Sequence, residues 1–145
     1  MRVQSHVTIN RPAAEVFAVL TDAPTTTRWA STTSKAWWVT PPPHGVGSVR
    51  RATGTIMGQP YENEATVVEH DPPRREVLSG SQSGVKFEVA LDLSPTADGT
   101  EVTVTSDIGL SGGMRFLGPM ISQQYRQMWD ADLATLKRMM EAGEL

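Results

Sequence analysis

The sequence predicts an α+β fold, an antiparallel meander with its helices set apart from its strands. Three observations carry that expectation. Between residues 3 and 108, apolar and polar residues alternate in short runs, the period of strands with one buried face. From about Phe116 to Glu141 the period becomes that of an amphipathic helix, which at 1.5 Å per residue would span about 40 Å. Ten prolines fall at 12, 24, 41–43, 60, 72–73, 95 and 119. Proline fixes φ and lacks an N–H donor, so it marks where one element stops and the next begins.

The elements follow in order. Val3–Asn10 alternates, with Val3, Ser5, Val7 and Ile9 on one face, and Asn10-Arg11-Pro12 stops this strand. Pro12 suits a first helical turn, and Val16, Phe17, Val19 and Leu20 give Ala13–Leu20 a helical spacing. Pro24 breaks that helix, and Thr25–Ala30 predicts a second short one ending near Trp29. Lys35–Thr40, Val46–Met57, Tyr61–Glu69 and Arg74–Ser81 read as strands, with a bulge or bend at Gly54 and a turn at Asp71-Pro72-Pro73. The clearest alternation sets Val85, Phe87, Val89, Leu91 and Leu93 against Lys86, Glu88, Ala90 and Asp92. Across the Ser94–Gly99 loop, Val102, Val104, Ser106 and Ile108 repeat it, so the two runs form a hairpin. Gly112-Gly113 then precedes the long helix.

Composition narrows the chemistry. The 145 residues suit one domain over 1–145 and can bury a core without disulfides. The absence of cysteine excludes thiol nucleophiles and zinc–thiolate sites. His6, His44 and His70 lack ligand spacing, so no metal is expected. Thirteen basic and sixteen acidic residues, interspersed, argue against a nucleic-acid partner. No window approaches the ~18 uninterrupted apolar residues of a membrane span. A soluble, cytoplasmic protein without stable membrane insertion is the expectation.

On a helical wheel, Leu117, Ile121, Tyr125, Met128, Trp129, Leu133, Leu136, Met139 and Met140 fill a broad apolar arc. Asp132 falls near its middle. A carboxylate there must be paired, protonated or turned toward a ligand, and burial would raise its pKa. Five of the seven methionines lie in the last 32 residues, where a flexible thioether suits either core filling or an adaptable apolar pocket.

The opening VTINRPAAEVFAVLTDAPTTTRWA, with its strand ending before Arg11-Pro12, its Val16-Phe17 helix, Asp22 and Trp29, resembles the START-like (SRPBCC) superfamily. Within it, the polyketide cyclase/dehydrase and lipid-transport group is most similar. GVGSVR at 45–50, VVEHDPPRR at 67–75 and the long C-terminal helix extend the resemblance over essentially the whole chain. It implies a helix-grip fold, in which a curved seven-stranded antiparallel sheet wraps the C-terminal helix around an apolar cavity. Val85, Phe87, Val89, Leu91, Val102, Val104 and Ile108 would then face inward, with residues 25–32 and the Pro41–Gly47 loop at the rim. Gly45-Val46-Gly47-Ser48 lacks the third glycine and the Lys-Ser/Thr pair of a phosphate loop, and reads as a turn.

The leading functional expectation is a cofactor-free protein that binds a small hydrophobic or aromatic molecule. Its lining would include Trp37, Tyr61, Phe87, Leu91, Met120, Tyr125 and Met128, with Asn63 and Gln124 as polar contacts. Tyr61 and Asn63 are assigned inward because the alternate face, Glu62 and Glu64, prefers water. The alternative is a cyclase, aromatase or dehydratase with Asp132 and Tyr125 as acid and base and Arg51 as anion anchor. Arg50 and Arg51 must face opposite ways, as must Trp37 and Trp38. His44 is placed in an exposed loop at the mouth. A third class is an interaction module using Trp38 and a sheet edge. The chain would be a monomer or homodimer.

Overall fold

The structure, a computed structural model, describes residues 1–110 and 117–145. Seven strands form one sheet: β1 (Arg2–Ile9), β2 (Thr33–Trp38), β3 (Val49–Ile56), β4 (Gln59–Asp71), β5 (Arg75–Gln82), β6 (Val85–Pro95) and β7 (Thr100–Ile108). The helices are α1 (Ala13–Thr21), α2 (Thr26–Trp29) and α3 (Gly118–Glu141). Gly112, Gly113, Met114 and Phe116, assigned above to the approach to the long helix, lie outside the described residues.

The strand order is β1-β7-β6-β5-β4-β3-β2, and every neighbouring pair is antiparallel. Strands β2 to β7 are a plain meander. Strand β1 departs from it and pairs with β7, from Arg2 opposite Asp107 to Ile9 opposite Thr100. In the chain, α1 and α2 join the two edge strands. Pro12 starts α1 as its position suggested, its carbonyl accepting from the N–H of Glu15 and of Val16.

Two bulges and two glycines allow the sheet to curve. Ser34 is the extra residue where Thr33 faces Gly54 and Lys35 faces Thr53, and Val68 is extra between Val67 and Glu69. At Gly54 a Cβ would lie 1.8 Å from the Thr32 carbonyl oxygen, and at Gly80 one would lie 1.9 Å from that of Glu64. Only a residue without a side chain lets the backbones come this close. The bend expected at Gly54 is present, with the inserted residue on the facing strand.

Register places the inner face in rows across strands. One row runs Trp38–Arg50–Ala65–Gly80–Phe87–Ile108. Another runs His70–Glu76–Leu91–Val104–Ser5. The core gathers where β1, β6 and β7 present Ile9, Leu91, Leu93, Val102 and Val104 to Leu133, Leu136 and Met140 of α3. Val16, Phe17 and Leu20 of α1 close it from the side.

Polar bonds tie α3 along β1. Lys137 Nζ donates to the Thr8 carbonyl at 2.7 Å, the Asn10 N–H donates to Glu141 Oε2 at 2.8 Å, and Ser5 donates to Asp130. The outer face carries exposed ion pairs, among them Arg2–Asp107 and Arg51–Glu64. Pairs of this kind contribute little to stability.

Candidate functional site

Between the N-terminal half of α3 and strands β3 to β6 lies a cavity of about 440 Å³. Small residues at some inward positions of the sheet leave room for it. Ala52, Ala65 and Gly80 point inward where β6 and β7 elsewhere offer branched aliphatics, so the sheet does not reach the helix. The apolar wall comes from Leu78, Val85, Phe87, Val89 and Leu91 on the sheet, and from Ile121, Met128 and Trp129 on α3. The volume lies within the ordinary range of small-molecule pockets.

Several expected residues meet on this wall: Tyr61, Asn63, Phe87, Leu91, Tyr125, Met128 and Asp132. Asp132 is 3% exposed. The Ser31 N–H and Oγ–H both donate to its Oδ1, at 3.0 and 2.8 Å. Burial raises its pKa, and the two Ser31 bonds draw it back in part. The Tyr125 phenol is likewise pushed up by burial, with the Gln82 side chain opposing. Tyr61 is buried, and its hydroxyl lies 3.1 Å from Thr33 Oγ1. Asp132 and Tyr125 stand seven residues apart on one helix, about 10 Å along its axis.

Four expected residues are elsewhere. Arg51 faces outward and bonds Glu64 at 2.7 Å, because it lies opposite Glu64 in the register while Arg50 lies opposite Ala65. Trp37 shares that outer face, opposite Arg51, with Lys35 Nζ 4.8 Å above its ring. Met120 is 52% exposed: one residue before Ile121, which lines the cavity, it is turned about 100° away. Gln124 is also exposed; one residue before Tyr125, it is turned about 100° away from the cavity. Trp38, proposed as an outer interaction residue, lies instead in the inner row beside Arg50 and stacks on His44 with ring centroids 3.9 Å apart.

Arg50 therefore replaces Arg51 on the cavity wall. It is 8% exposed, and its Nη2 donates to Thr26 Oγ1 at 2.9 Å. The guanidinium carbon lies 5.7 Å from the Trp38 ring centroid. Among the described residues the guanidinium makes no ion pair and no second hydrogen bond. Burial works against its charge, while Glu76, Asp22 and Tyr61 favour it. The Met57-Gly58 turn gave a signal for this. A two-residue hairpin there pairs Ile56 with Gln59, and counting back puts Arg50 on the face of Tyr61, Asn63 and Ala65.

Thr26 and Trp29, from the 25–32 region expected at the rim, line the wall, as does Thr33, passed over in the sequence. The Trp29 Nε1 is buried without a partner among the described residues. No group of three His, Asp or Glu side chains among the described residues is arranged to hold a metal ion.

The profile of the family described as polyketide cyclase/dehydrase and lipid transport matches residues 1–141. The chain belongs to that family. Among solved structures, a START superfamily protein from Mycobacterium smegmatis superposes with a TM-score of 0.84 at 17% identity, covering 97% of each chain. A protein from Thermus thermophilus gives 0.83 at 16% identity over the full length of both chains. An aromatase/cyclase from Streptomyces sp. R1128 gives 0.80 at 18% identity, covering 97% of this chain and 93% of its own. At these identities the likeness is one of fold, the helix-grip arrangement of the START superfamily. No curated protein matches by sequence. No helix among the described residues is long and apolar enough to cross a membrane.

Proposed function

We propose that this family member binds a small, largely apolar and ring-sized molecule in the cavity, with an anionic or strongly polarised oxygen docked against Arg50. The observation that supports this is the buried guanidinium on an apolar wall, held by one protein hydrogen bond. A cation so placed keeps unused donors for a carboxylate, sulfonate or phenolate. Apolar burial supplies most of the affinity, at about 25 cal/mol per Å², and Arg50 fixes orientation. The test compares two fluorescent probes: 1-anilinonaphthalene-8-sulfonate, and N-phenyl-1-naphthylamine, which has the same rings and no charge. Both should bind saturably, and Arg50→Met should weaken the sulfonate about tenfold or more while sparing the neutral probe. Equal effects on both probes would remove Arg50 from the reading. No saturable binding of either would remove the cavity.

The cyclase or dehydratase reading has one observation in its favour: Asp132 and Tyr125 line the same wall, and burial weakens both acids. In that reading the Asp132 carboxylate takes the α-proton of the substrate, Tyr125 orients the carbonyl and Arg50 holds the enolate oxygen. Asp132 then returns the proton to the departing hydroxyl, so that a C–H and a C–O bond break, a C=C bond forms and water leaves. Unchanged turnover of a poly-β-ketone substrate in Asp132→Asn would refute it and leave simple binding.

A further inference from the structure

A second charged group is buried at the border between the cavity and the packed core. Glu76 is 2% exposed and sits in the inner row between His70 and Leu91. Its Oε1 lies 2.9 Å from His70 Nδ1, and its Oε2 has no partner among the described residues. His70 is only partly covered, held between the Phe17 ring at a centroid distance of 5.7 Å and the backbone of Gly45. Glu76 makes no direct ion pair with Arg50, yet each is within reach of the other's charge. The remaining groups facing these three are Asp22 and Tyr61, both toward Arg50, with His44 stacked on the Trp38 that also flanks Arg50.

We propose that the Glu76–His70 pair is the proton-linked counter-charge of the Arg50 subsite. In the empty cavity Glu76 balances Arg50, and an anion docked on Arg50 takes over that role and drives a proton onto the pair. The inference rests on the reading that an anionic group binds at Arg50. A second negative charge in this poorly solvated region repels the first, and protonation relieves the repulsion. Burial already favours the protonated form of Glu76, with His70 and Arg50 opposing it. A proton taken up by groups this closely bonded belongs to the pair and not to one member of it. Linkage is reciprocal: a ligand that raises proton affinity is itself bound better when the proton is present. Acidic ligands are therefore held more tightly in mildly acid solution and released as pH rises, whereas neutral ligands are indifferent.

The same two probes test this on the unaltered protein. Between about pH 5 and 8, the Kd of the sulfonate should rise about fivefold or more while that of the neutral probe stays flat. Calorimetry of sulfonate binding in two buffers of different ionisation enthalpy should show net proton uptake. Glu76→Gln should flatten the sulfonate profile without abolishing binding, and His70→Asn should shift or flatten it. Sulfonate binding that depends on Arg50 but takes up no proton, or parallel pH profiles for the two probes, overturns the counter-charge and leaves the Arg50 reading standing. Equal affinities insensitive to Arg50→Met overturn both. If Glu76→Gln does not fold, proton uptake by the unaltered protein decides alone.

Discussion

The two halves of α3 lie over the same sheet and do opposite things. Its C-terminal half buries Leu133, Leu136 and Met140 against Ile9, Leu93, Val102 and Val104. Its N-terminal half presents Ile121, Tyr125 and Met128 to open space. The helix is apolar on one face along most of its length, so the difference comes from the sheet. Opposite the packed half stand large branched residues. Opposite the hollow half, inward positions of β3, β4 and β5 include Ala52, Ala65 and Gly80, among larger residues such as Leu78 and Phe87. A cavity here is built by shortening side chains on the strands, with the helix left continuous.

Substitutions in the two halves should separate them. Leu136→Ala removes a side chain with no exposed surface and should cost about 2–5 kcal/mol in denaturant unfolding, leaving probe affinity of the folded protein unchanged. Gly54→Ala should cost about 1–3 kcal/mol, because the new methyl meets the Thr32 carbonyl and the Tyr61 ring at 1.8 and 2.9 Å. It should also shift probe binding, since Tyr61 lines the cavity. Met128→Ala, on the hollow side, should cost about 1 kcal/mol and alter affinity more than stability. Equal losses for Met128→Ala and Leu136→Ala would erase the distinction between the halves.

The smallest effect is on pH dependence. The folded-state pKa of Asp132 is raised, so the folded chain holds this proton more firmly than the unfolded chain does. Its contribution to stability is complete below the ordinary carboxylate range and is lost as pH rises through the raised folded value. Asp132→Asn should remove that part of the decline, which thermal unfolding across the acid range would measure. Glu76 shifts in the same direction, so some decline remains in Asp132→Asn and should vanish in the double variant with Glu76→Gln.

Much of this architecture was readable from alternation. The Val85–Leu93 and Val102–Ile108 runs pair as expected, and the acids at 62 and 64 identified the inward face of β4. Parity alone could not choose between Arg50 and Arg51 or between Trp37 and Trp38. It states that neighbours face opposite ways, and the facing strand decides which way is in. Ala65 and Glu64 settle that question through register. The wheel puts Leu117 on the apolar arc, where it is exposed, because helical phase carries no information about how far the sheet extends beneath the start of the helix; Met120, expected in the lining, is not on that arc. Glu76 gave no warning, since Arg75–Ser81 has no clean alternation, and its partner His70 lies on another strand. Likewise Asp132 announced a need for a donor without naming Ser31, 101 residues away in sequence.

The pairing of β1 with β7 also sets an order of events. Arg2 and Asp107 are partners separated by 105 residues, so β1, made before the other six strands, is paired only after the last of them. The helix that packs against β1 is made later still. The meander from β2 to β7 can zip up locally during synthesis, hairpin by hairpin, but the step that joins the first strand, the last strand and α3 bears the entropy of a long loop. The chamber is therefore a late product of folding. Until that step, the apolar faces of both its walls are open to any neighbouring chain.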